Sequence, residues 1–286
     1  MIRLESGEYM FRVRHYFADQ TAPRHLEADS IVLDNRLYFP SPSQMNDPLE
    51  ATPKLKWSKD GAMTRAQIRE MIKRQAPTMR FSEQFALRDT IWHRTQHPDR
   101  RASFRQSIAD WLSASFLGSS LCSFFPQLDY AKWATYGDTG RGYALVFRRS
   151  TEWVFDVRGQ HFVGDAPLVR MRVLPIEYSE TYPEIDLDMD WYESENGWEA
   201  IRRGLLTKLD QWKHENELRV IRPGVPPSGQ PFRPESLVGV IAGHKASDQL
   251  VDHLLALSRK RRSPISVYRS VVEAGLTLPA YEQVAI

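Results

Sequence analysis

The segment best suited to chemistry is "KHENELRVIRP", residues 213–223, in which charged and apolar residues alternate. If it is a strand, its period of two places Glu215, Glu217 and Arg219 on one face and apolar residues on the other. Two carboxylates beside a guanidinium can stabilise a developing positive charge or accept a proton. The same pattern is typical of a solvated strand edge, where an Arg219–Glu217 pair stabilises a fold by roughly 0–1 kcal/mol.

Two further segments carry side chains suited to a ligand site. Asn46 begins the sequence Asn-Asp-Pro, which predicts a turn that also lines a pocket, because Asn and Asp bond their own backbone and Pro fixes the next dihedral. Trp133 and Tyr136 are three residues apart on a predicted short helix and therefore share a face. We expect Trp133 to pack in the core and Tyr136, next to the polar turn "GDTGRG", to meet a ligand.

Several common catalytic motifs are missing from the sequence. It contains no Gly-x-Gly-x-x-Gly or Gly-Lys-Ser/Thr phosphate loop, no His-Glu-x-x-His pair and no Gly-x-Ser-x-Gly elbow. A single cysteine, Cys122, excludes a zinc site with several cysteines. The sequence therefore predicts chemistry that uses neither a Rossmann fold nor a metal.

The composition predicts a globular protein. The chain has 286 residues, of which 42% are hydrophobic and 26% are charged, and it contains 8 Trp, 11 Tyr and 13 Phe. It has no run of roughly 20 apolar residues and no apolar signal core near Met1, so no membrane partner is expected. With one cysteine and no signal segment, the sequence predicts a cytoplasmic protein.

Charge is distributed unevenly along the chain. Residues 54–105 contain 13 Lys or Arg and 5 Asp or Glu, whereas residues 177–199 contain 9 acidic residues and no basic one. A basic region attracts phosphates, so nucleic acid is a candidate partner, although such blocks are also typical of solvated helices and loops.

The predicted elements give a fold class. Strand patterns in the first 50 residues give way to helical spacing at residues 63–117, and strands and helices alternate afterwards. A helix is predicted at residues 196–212 and leads into the strand at 213–223. The sequence therefore predicts one α+β domain, residues 1–286, with a helical insertion at residues 52–118.

Four segments in order resemble a bacterial family catalogued as domain of unknown function 2971. They are "LYFPSPSQMNDPLE", "WATYGDTGRGYALVF", the spaced residues Trp212, Glu215, Glu217 and Arg219, and "VGVIAGHKAS". The first resembles the family pattern L-x-F-S-S-P-x-x-F-N-D-P-F-E, and the second resembles M-W-x-H-Y-A-x-x-x-x-G, with Thr135 where the family often has His.

The order of elements is also similar to ADP-ribosyltransferases, which implies a split β-sandwich and NAD as a substrate. In that group a first-strand Arg, His or Tyr binds NAD, a middle strand supplies Ser, Thr or Tyr, and a late Glu-x-Glu supplies the catalytic Glu. The resemblance implies that Glu217 and Glu215 are catalytic. It implies that the NAD-binding residues are Arg14, His15, Tyr16, Ser41, Asn46, Tyr136 and Arg219.

These resemblances lead us to expect an effector of the toxin or phage-defence kind that modifies a macromolecule with NAD. A neutralising partner protein would accompany a toxin. One alternative is a nuclease-type effector in which Asp47, Glu50, Glu215 and Glu217 bind magnesium. Another is a noncatalytic nucleic-acid-binding module. Convergence of Arg14 or His15 with Tyr136 and Glu217 in one pocket would favour NAD, whereas clustered acids without these groups would favour a metal.

Overall fold

A computed structural model describes residue 4 and residues 8–16, 28–47, 49–59, 62–75, 78–149, 152–155, 169–188, 198–222 and 225–284. Their mixture of helices and strands confirms the α+β class. The helices of the described residues are α1 (Ala28–Asp34), α2 (Arg65–Gln75), α3 (Phe81–Gln96), α4 (Pro98–Leu117), α5 (Tyr130–Tyr136), α6 (Trp198–Leu205) and α7 (Asp248–Lys260). The strands are β1 (Tyr9–Arg14), β2 (Arg36–Phe39), β3 (Lys54–Lys56), β4 (Ser120–Phe124), β5 (Tyr143–Arg148), β6 (Glu152–Phe155), β7 (Val169–Arg172), β8 (Leu174–Pro175), β9 (Glu177–Ser179), β10 (Glu184–Asp186), β11 (Thr207–Leu209), β12 (Leu218–Arg222), β13 (Ser228–Pro231), β14 (Leu237–Ala242), β15 (Ser266–Val271) and β16 (Ala280–Val284).

The largest sheet has the strand order β1-β5-β14-β15-β16, and its strands are antiparallel except for the parallel pair β14 and β15. Helix α7 connects that pair and begins at Ser247, whose side chain accepts a hydrogen bond from the Leu250 amide. Its apolar residues Leu250, Leu254 and Leu257 enter the main core. This sheet fixes the direction of β1, which carries part of the candidate site.

A second sheet has the order β4-β12-β8, and a backbone bridge next to β4 connects it to the first. There the backbones of Phe11 and Phe125 exchange two hydrogen bonds of 2.8 Å. Beyond this bridge β1 and β4 belong to different sheets.

The segment at residues 213–223 differs from the single half-buried strand that its alternation predicts. Residues Asp210–Glu215 form a 3-10 helix, Asn216 is left-handed with a φ of 46°, and β12 begins at Leu218. Asn tolerates the left-handed region because its short polar side chain bonds locally. The preceding helix is also shorter than predicted, since α6 ends at Leu205 and residues 207–209 pair with β9 instead.

Helices α2, α3 and α4 fall within the predicted insertion at residues 52–118 and share a small core of their own. That core contains Ile68, Met71, Ile72, Ile91 and Phe104. The start of the segment is tied to the rest of the chain, because β3 pairs in parallel with β10. Among the described residues no helix is both long and apolar enough to cross a bilayer.

A glycine-rich contact, the glycine seam, joins the turn after α5 to the end of β1 and to the loop after β14. A Cβ atom on Gly142 would lie 2.1 Å from the Arg14 carbonyl oxygen, and one on Gly243 would lie 2.2 Å from that of Gly140. The Gly243 amide donates to the Gly142 carbonyl over 2.9 Å, and the Lys245 amide donates to Gly140 over 2.8 Å. Only glycine permits this approach at positions 142 and 243.

Candidate active site

A cavity of about 420 Å³ opens beside the Phe11–Phe125 bridge, between the end of β1, the loop after β2, α5 and the start of β12. Its volume falls in the range of roughly 300–1,000 Å³ that is usual for small-molecule sites. The lining residues are Arg12, Val13, Arg14, His15, Tyr38, Pro40, Gln44, Met45, Asn46, Ser123, Phe125, Thr135, Tyr136, Lys208 and Glu217.

One wall of the cavity is cationic. Arg12 and Arg14 are two residues apart on β1 and both line the cavity, followed by the exposed His15. Arg12 Nη1 donates to the Ser123 carbonyl over 2.7 Å, while its Nε is buried and has no partner in the described part of the chain. Burial, together with the charge of Arg12, lowers the pKa of Arg14. An anion bound here would satisfy the free donor and offset the repulsion between the two guanidinium groups.

Glu217 also lines the cavity and is only 2% exposed. Its Oε1 accepts a 2.8 Å hydrogen bond from Arg219 Nε, and its Oε2 accepts one of 2.8 Å from Lys208 Nζ. Burial raises the pKa of Glu217, but the charges of Arg219 and Lys208 outweigh burial and lower that pKa to about 2. The carboxylate is therefore ionised at neutral pH and suits electrostatic stabilisation or hydroxyl binding better than proton transfer.

Glu215 lies behind the cavity wall, 1% exposed, and is connected to it through Tyr136. Its Oε2 accepts a 2.9 Å hydrogen bond from Lys208 Nζ, and its Oε1 accepts one from the Tyr136 hydroxyl. Burial and the bond to Glu215 raise the pKa of Tyr136, so its hydroxyl remains a donor. The Tyr136 ring lies 5.1 Å from that of Phe125, and the two rings form an aromatic side of the cavity.

Arg219 and Glu50 complete a group that we call the charge cluster: Glu50, Lys208, Glu215, Glu217 and Arg219. Arg219 is fully buried, and its Nη1 donates to Glu50 Oε1 over 2.6 Å and to the Leu205 carbonyl over 2.8 Å. The neighbouring carboxylates raise the pKa of Arg219 and that of Lys208 despite burial, so both cations keep their charge. Three carboxylates and two cations leave the cluster with a net charge of −1.

Local structure explains how the acidic residues converge. The 3-10 helix ends at Glu215, and the left-handed Asn216 turns the chain before Glu217 and β12. Both carboxylates consequently reach the same Lys208 through a turn, and strand alternation plays no part. Lys208 comes from the middle of β11, where Trp212 lies over its ammonium group at 5.4 Å.

The structure brings five of the predicted site residues to the cavity, and these are Arg14, His15, Asn46, Tyr136 and Glu217. The other four lie outside its lining. Glu215 and Arg219 belong to the charge cluster behind it. Ser41 bonds to Ser43 and Gln44 at the start of a 3-10 helix, and Tyr16 packs against the main core with its ring 6.0 Å from that of His253.

Sequence reasoning did not select Arg12, Ser123 or Lys208 as site residues. Arg12 shares a strand face with Arg14, so period two could have identified it. Ser123 pairs with Arg219 in the register of β12 with β4, so it can be identified only once the pairing of these two strands is known. No local pattern marks Lys208, because it lies within a stretch that resembles a helix.

The sequence also allowed two other arrangements of these residues, an exposed Arg219–Glu217 pair at a strand edge and a magnesium site. The observed arrangement differs from both. Arg219 and Glu217 form a buried pair, not an exposed one. Glu50, Glu215 and Glu217 do converge, but Lys208 and Arg219 already occupy the space between them. Asp47 lies in a turn, where its Oδ1 accepts from the Leu49 amide over 3.0 Å. Glu50, Glu215 and Glu217 are therefore arranged around two protein cations, and Asp47 does not join them.

Comparisons of the chain with protein-family models, with curated proteins and with solved structures find no match.

Proposed function

We propose that the cavity binds NAD and that the protein transfers ADP-ribose from it to a macromolecule. The observation that carries this proposal is the convergence of Arg14 and His15 with Tyr136 and Glu217 in one cavity. These residues come from β1, α5 and the start of β12, which are far apart in the sequence.

The charged groups at the cavity suit two neighbouring parts of NAD, the pyrophosphate and the nicotinamide ribose. Arg12 and Arg14 suit a pyrophosphate, because guanidinium groups bind phosphate oxygens with two parallel hydrogen bonds. The charge cluster, with its net −1, would stabilise the positive charge that the nicotinamide ribose gains as its bond breaks. The rings of Tyr136 and Phe125, which both line the cavity, offer aromatic surface on which a nicotinamide can stack.

The transfer breaks one bond and forms another. The bond between the nicotinamide nitrogen and ribose C1′ breaks, and nicotinamide leaves as a neutral molecule with the electron pair. Ionised Glu217 stabilises the oxocarbenium-like sugar, and a nucleophile of the acceptor then bonds to C1′. The acceptor's proton passes to the Tyr136 hydroxyl as that group donates its own proton to Glu215, its hydrogen-bond partner.

The resemblance to domain of unknown function 2971 and to ADP-ribosyltransferases supports what we propose about the fold and the biological role. It supports a split β-sandwich, a role in toxicity or phage defence and a neutralising partner protein. The basic residues of α2, α3 and α4 support nucleic acid as the acceptor.

Labelled NAD tests the proposal directly. Purified protein is incubated with NAD labelled in its adenosine part and with cell lysate, and label is measured in protein, RNA and DNA. We expect Glu217→Gln to lose at least a hundredfold in transfer and in nicotinamide release, because the amide keeps the shape but not the charge. Glu235→Gln, at an exposed position, is the matched control.

Equal transfer by Glu217→Gln and wild type would remove Glu217 from the mechanism. Loss of the folded state in Glu217→Gln, seen by circular dichroism, would assign Glu217 a structural role as the partner of Arg219.

A further inference from the structure

Lys208 has a hydrogen-bond donor to spare at the cavity. Its ammonium group carries three N–H donors, and two of them bond to Glu215 over 2.9 Å and to Glu217 over 2.8 Å. The nearest other carboxylate oxygen is Glu50 Oε2, which at 3.8 Å is beyond hydrogen-bonding distance. Because Lys208 also lines the cavity, the third N–H is available to a ligand there.

Glu217 has an acceptor site to spare next to that donor. A carboxylate offers about four acceptor sites, and Arg219 uses two on Oε1 through its Nε and Nη2, each at 2.8 Å. Lys208 uses one on Oε2. The remaining site is therefore on Oε2, the oxygen that Lys208 bonds.

A third polar group lies beside this carboxylate. Ser123 lines the cavity, and its hydroxyl is close enough to Glu217 to help lower the pKa of that carboxyl, yet its buried oxygen has no hydrogen bond of ordinary geometry to the described residues. A ligand hydroxyl bound to Glu217 would therefore lie next to a protein hydroxyl that has no strong partner of its own.

We propose that Lys208 and Glu217 form a donor–acceptor pair that binds two adjacent hydroxyl groups of a ribose. One sugar hydroxyl donates to Glu217 Oε2, and the neighbouring hydroxyl accepts from Lys208 Nζ. The pair thereby distinguishes ribose from its deoxy forms, and Lys208 is the specificity-determining residue for one of the two hydroxyls. The inference rests on the proposed function in taking this sugar to be the nicotinamide ribose of NAD.

The other cation of the cluster cannot serve this purpose. Arg219 bonds the same carboxylate, but it is fully buried and absent from the cavity lining. Its Nη1 is already bonded to Glu50 and to the Leu205 carbonyl. Arg219 orients Glu217 from behind, whereas Lys208 reaches the ligand.

Calorimetric affinities for matched sugars test the pair. Nicotinamide mononucleotide is compared with its 2′-deoxy and 3′-deoxy forms, in the wild type and in Lys208→Met. In the wild type each deoxy compound should bind at least about tenfold more weakly, because a hydrogen bond to a charged group is lost. In Lys208→Met, one of the two deoxy compounds lacks the hydroxyl that Lys208 binds in the wild type. The affinity of the variant for that compound should equal its affinity for nicotinamide mononucleotide within about twofold. Equal losses in both proteins for both compounds would overturn the inference.

Two controls keep the result interpretable. Lys213→Met, at an exposed position nearby, should behave as the wild type. Lys208→Arg keeps the charge and should keep the fold while losing much of the discrimination. If Lys208→Met does not fold, the affinities of the wild type test the inference alone. Equal affinity of the wild type for the ribose and deoxyribose compounds contradicts it.

Ribose 5-phosphate and 2-deoxyribose 5-phosphate separate this inference from the proposed function. They carry the sugar and an anion but no nicotinamide. Discrimination between them without any binding of nicotinamide mononucleotide would support the pair and contradict NAD as the substrate. If no ribose compound binds the wild type, the inference is wrong.

Discussion

The charge cluster and the basic helices α2 to α4 are built from the same residue types in opposite surroundings. Every member of the cluster is at most 5% exposed, and its ion pairs are as short as 2.6–2.9 Å. On the basic helices Lys73, Arg94 and Arg100 are exposed. A pair at the start of the insertion, Lys54 with Glu184, is longer at 3.4 Å, and the Lys54 side chain is 76% exposed.

The difference shows that burial gives a charge its defined position. A charge removed from water must be paired and hydrogen-bonded, so its geometry is restricted. A surface charge keeps its water, and its pairs stabilise a protein by 0–1 kcal/mol at most, which salt reduces further. Single substitutions should accordingly have large effects in the cluster and small ones on the helices.

Arg219→Met should give the largest effect. It leaves Glu50 and Glu217 buried with Lys208 as their remaining cation, and breaking such a buried network costs about 3–5 kcal/mol. Urea denaturation followed by tryptophan fluorescence measures the loss in unfolding free energy. Arg233→Met, at an exposed position, is the matched control and should change it by less than about 0.5 kcal/mol. A loss below about 1 kcal/mol for Arg219→Met would show that the cluster is not the rigid unit described here.

Acid should weaken the fold through Glu217. Its pKa is lowered to about 2 in the folded protein, against an ordinary value of about 4.3 when unfolded. A lowered carboxyl pKa contributes stability above the unfolded pKa, and that stability is lost as the pH falls from about 5 towards 2. The contribution at neutral pH is on the order of 3 kcal/mol.

Unfolding free energies of the wild type and Glu217→Gln between pH 7 and pH 3 measure this contribution. The wild type should lose more stability than the variant over that interval. Parallel pH profiles would contradict the assignment of acid sensitivity to Glu217.

The smallest effect on stability is expected from the basic helices. Reversing Lys73, Arg94 and Arg100 to Glu should change the unfolding free energy by only a few tenths of a kcal/mol per site. If the helices bind nucleic acid, the same variant should bind a labelled oligonucleotide more weakly. Its salt dependence should also fall, by roughly 0.9 in slope per lost phosphate contact on duplex DNA.

Arg233, Lys245 and Arg262, which are exposed outside the insertion, provide the matched triple reversal. Equal losses of binding in both triple variants would mean that net charge governs the interaction. In that case the insertion would have no special role in binding the acceptor.

Sequence patterns predicted the elements that have strong local periodicity. Helix α5 appears where the sequence placed it, and helices α2, α3 and α4 lie within the stretch of helical spacing at residues 63–117. Part of the site was predictable as well, because Arg14, Tyr136 and Glu217 stand out by residue type and by their position in the predicted elements.

The sequence grouped Glu50 with Glu215 and Glu217 and paired Arg219 with Glu217, but the shared cation Lys208 and the Arg219–Glu50 pair were not predictable, because these contacts depend on long-range pairing. Glu50 meets Arg219 across 169 positions, and nothing near Glu50 indicates this partner. Lys208 appears helical by local spacing, yet pairing with β9 draws its segment into a strand. Long-range pairing overrode local propensity at the place where the candidate catalytic residues converge.

The glycine seam has a consequence for hydrogen exchange. The amides of Gly243 and Lys245 donate to Gly142 and Gly140, so exposing either amide to solvent requires the loop after β14 to separate from the turn after α5. That turn follows Tyr136 and packs on the Arg14 carbonyl, so its release would loosen two residues that line the cavity. A ligand that contacts both Arg14 and Tyr136 therefore protects these two amides from deuterium, although neither Gly243 nor Lys245 lines the cavity. Their exchange rates report occupancy of the site without any label on the ligand.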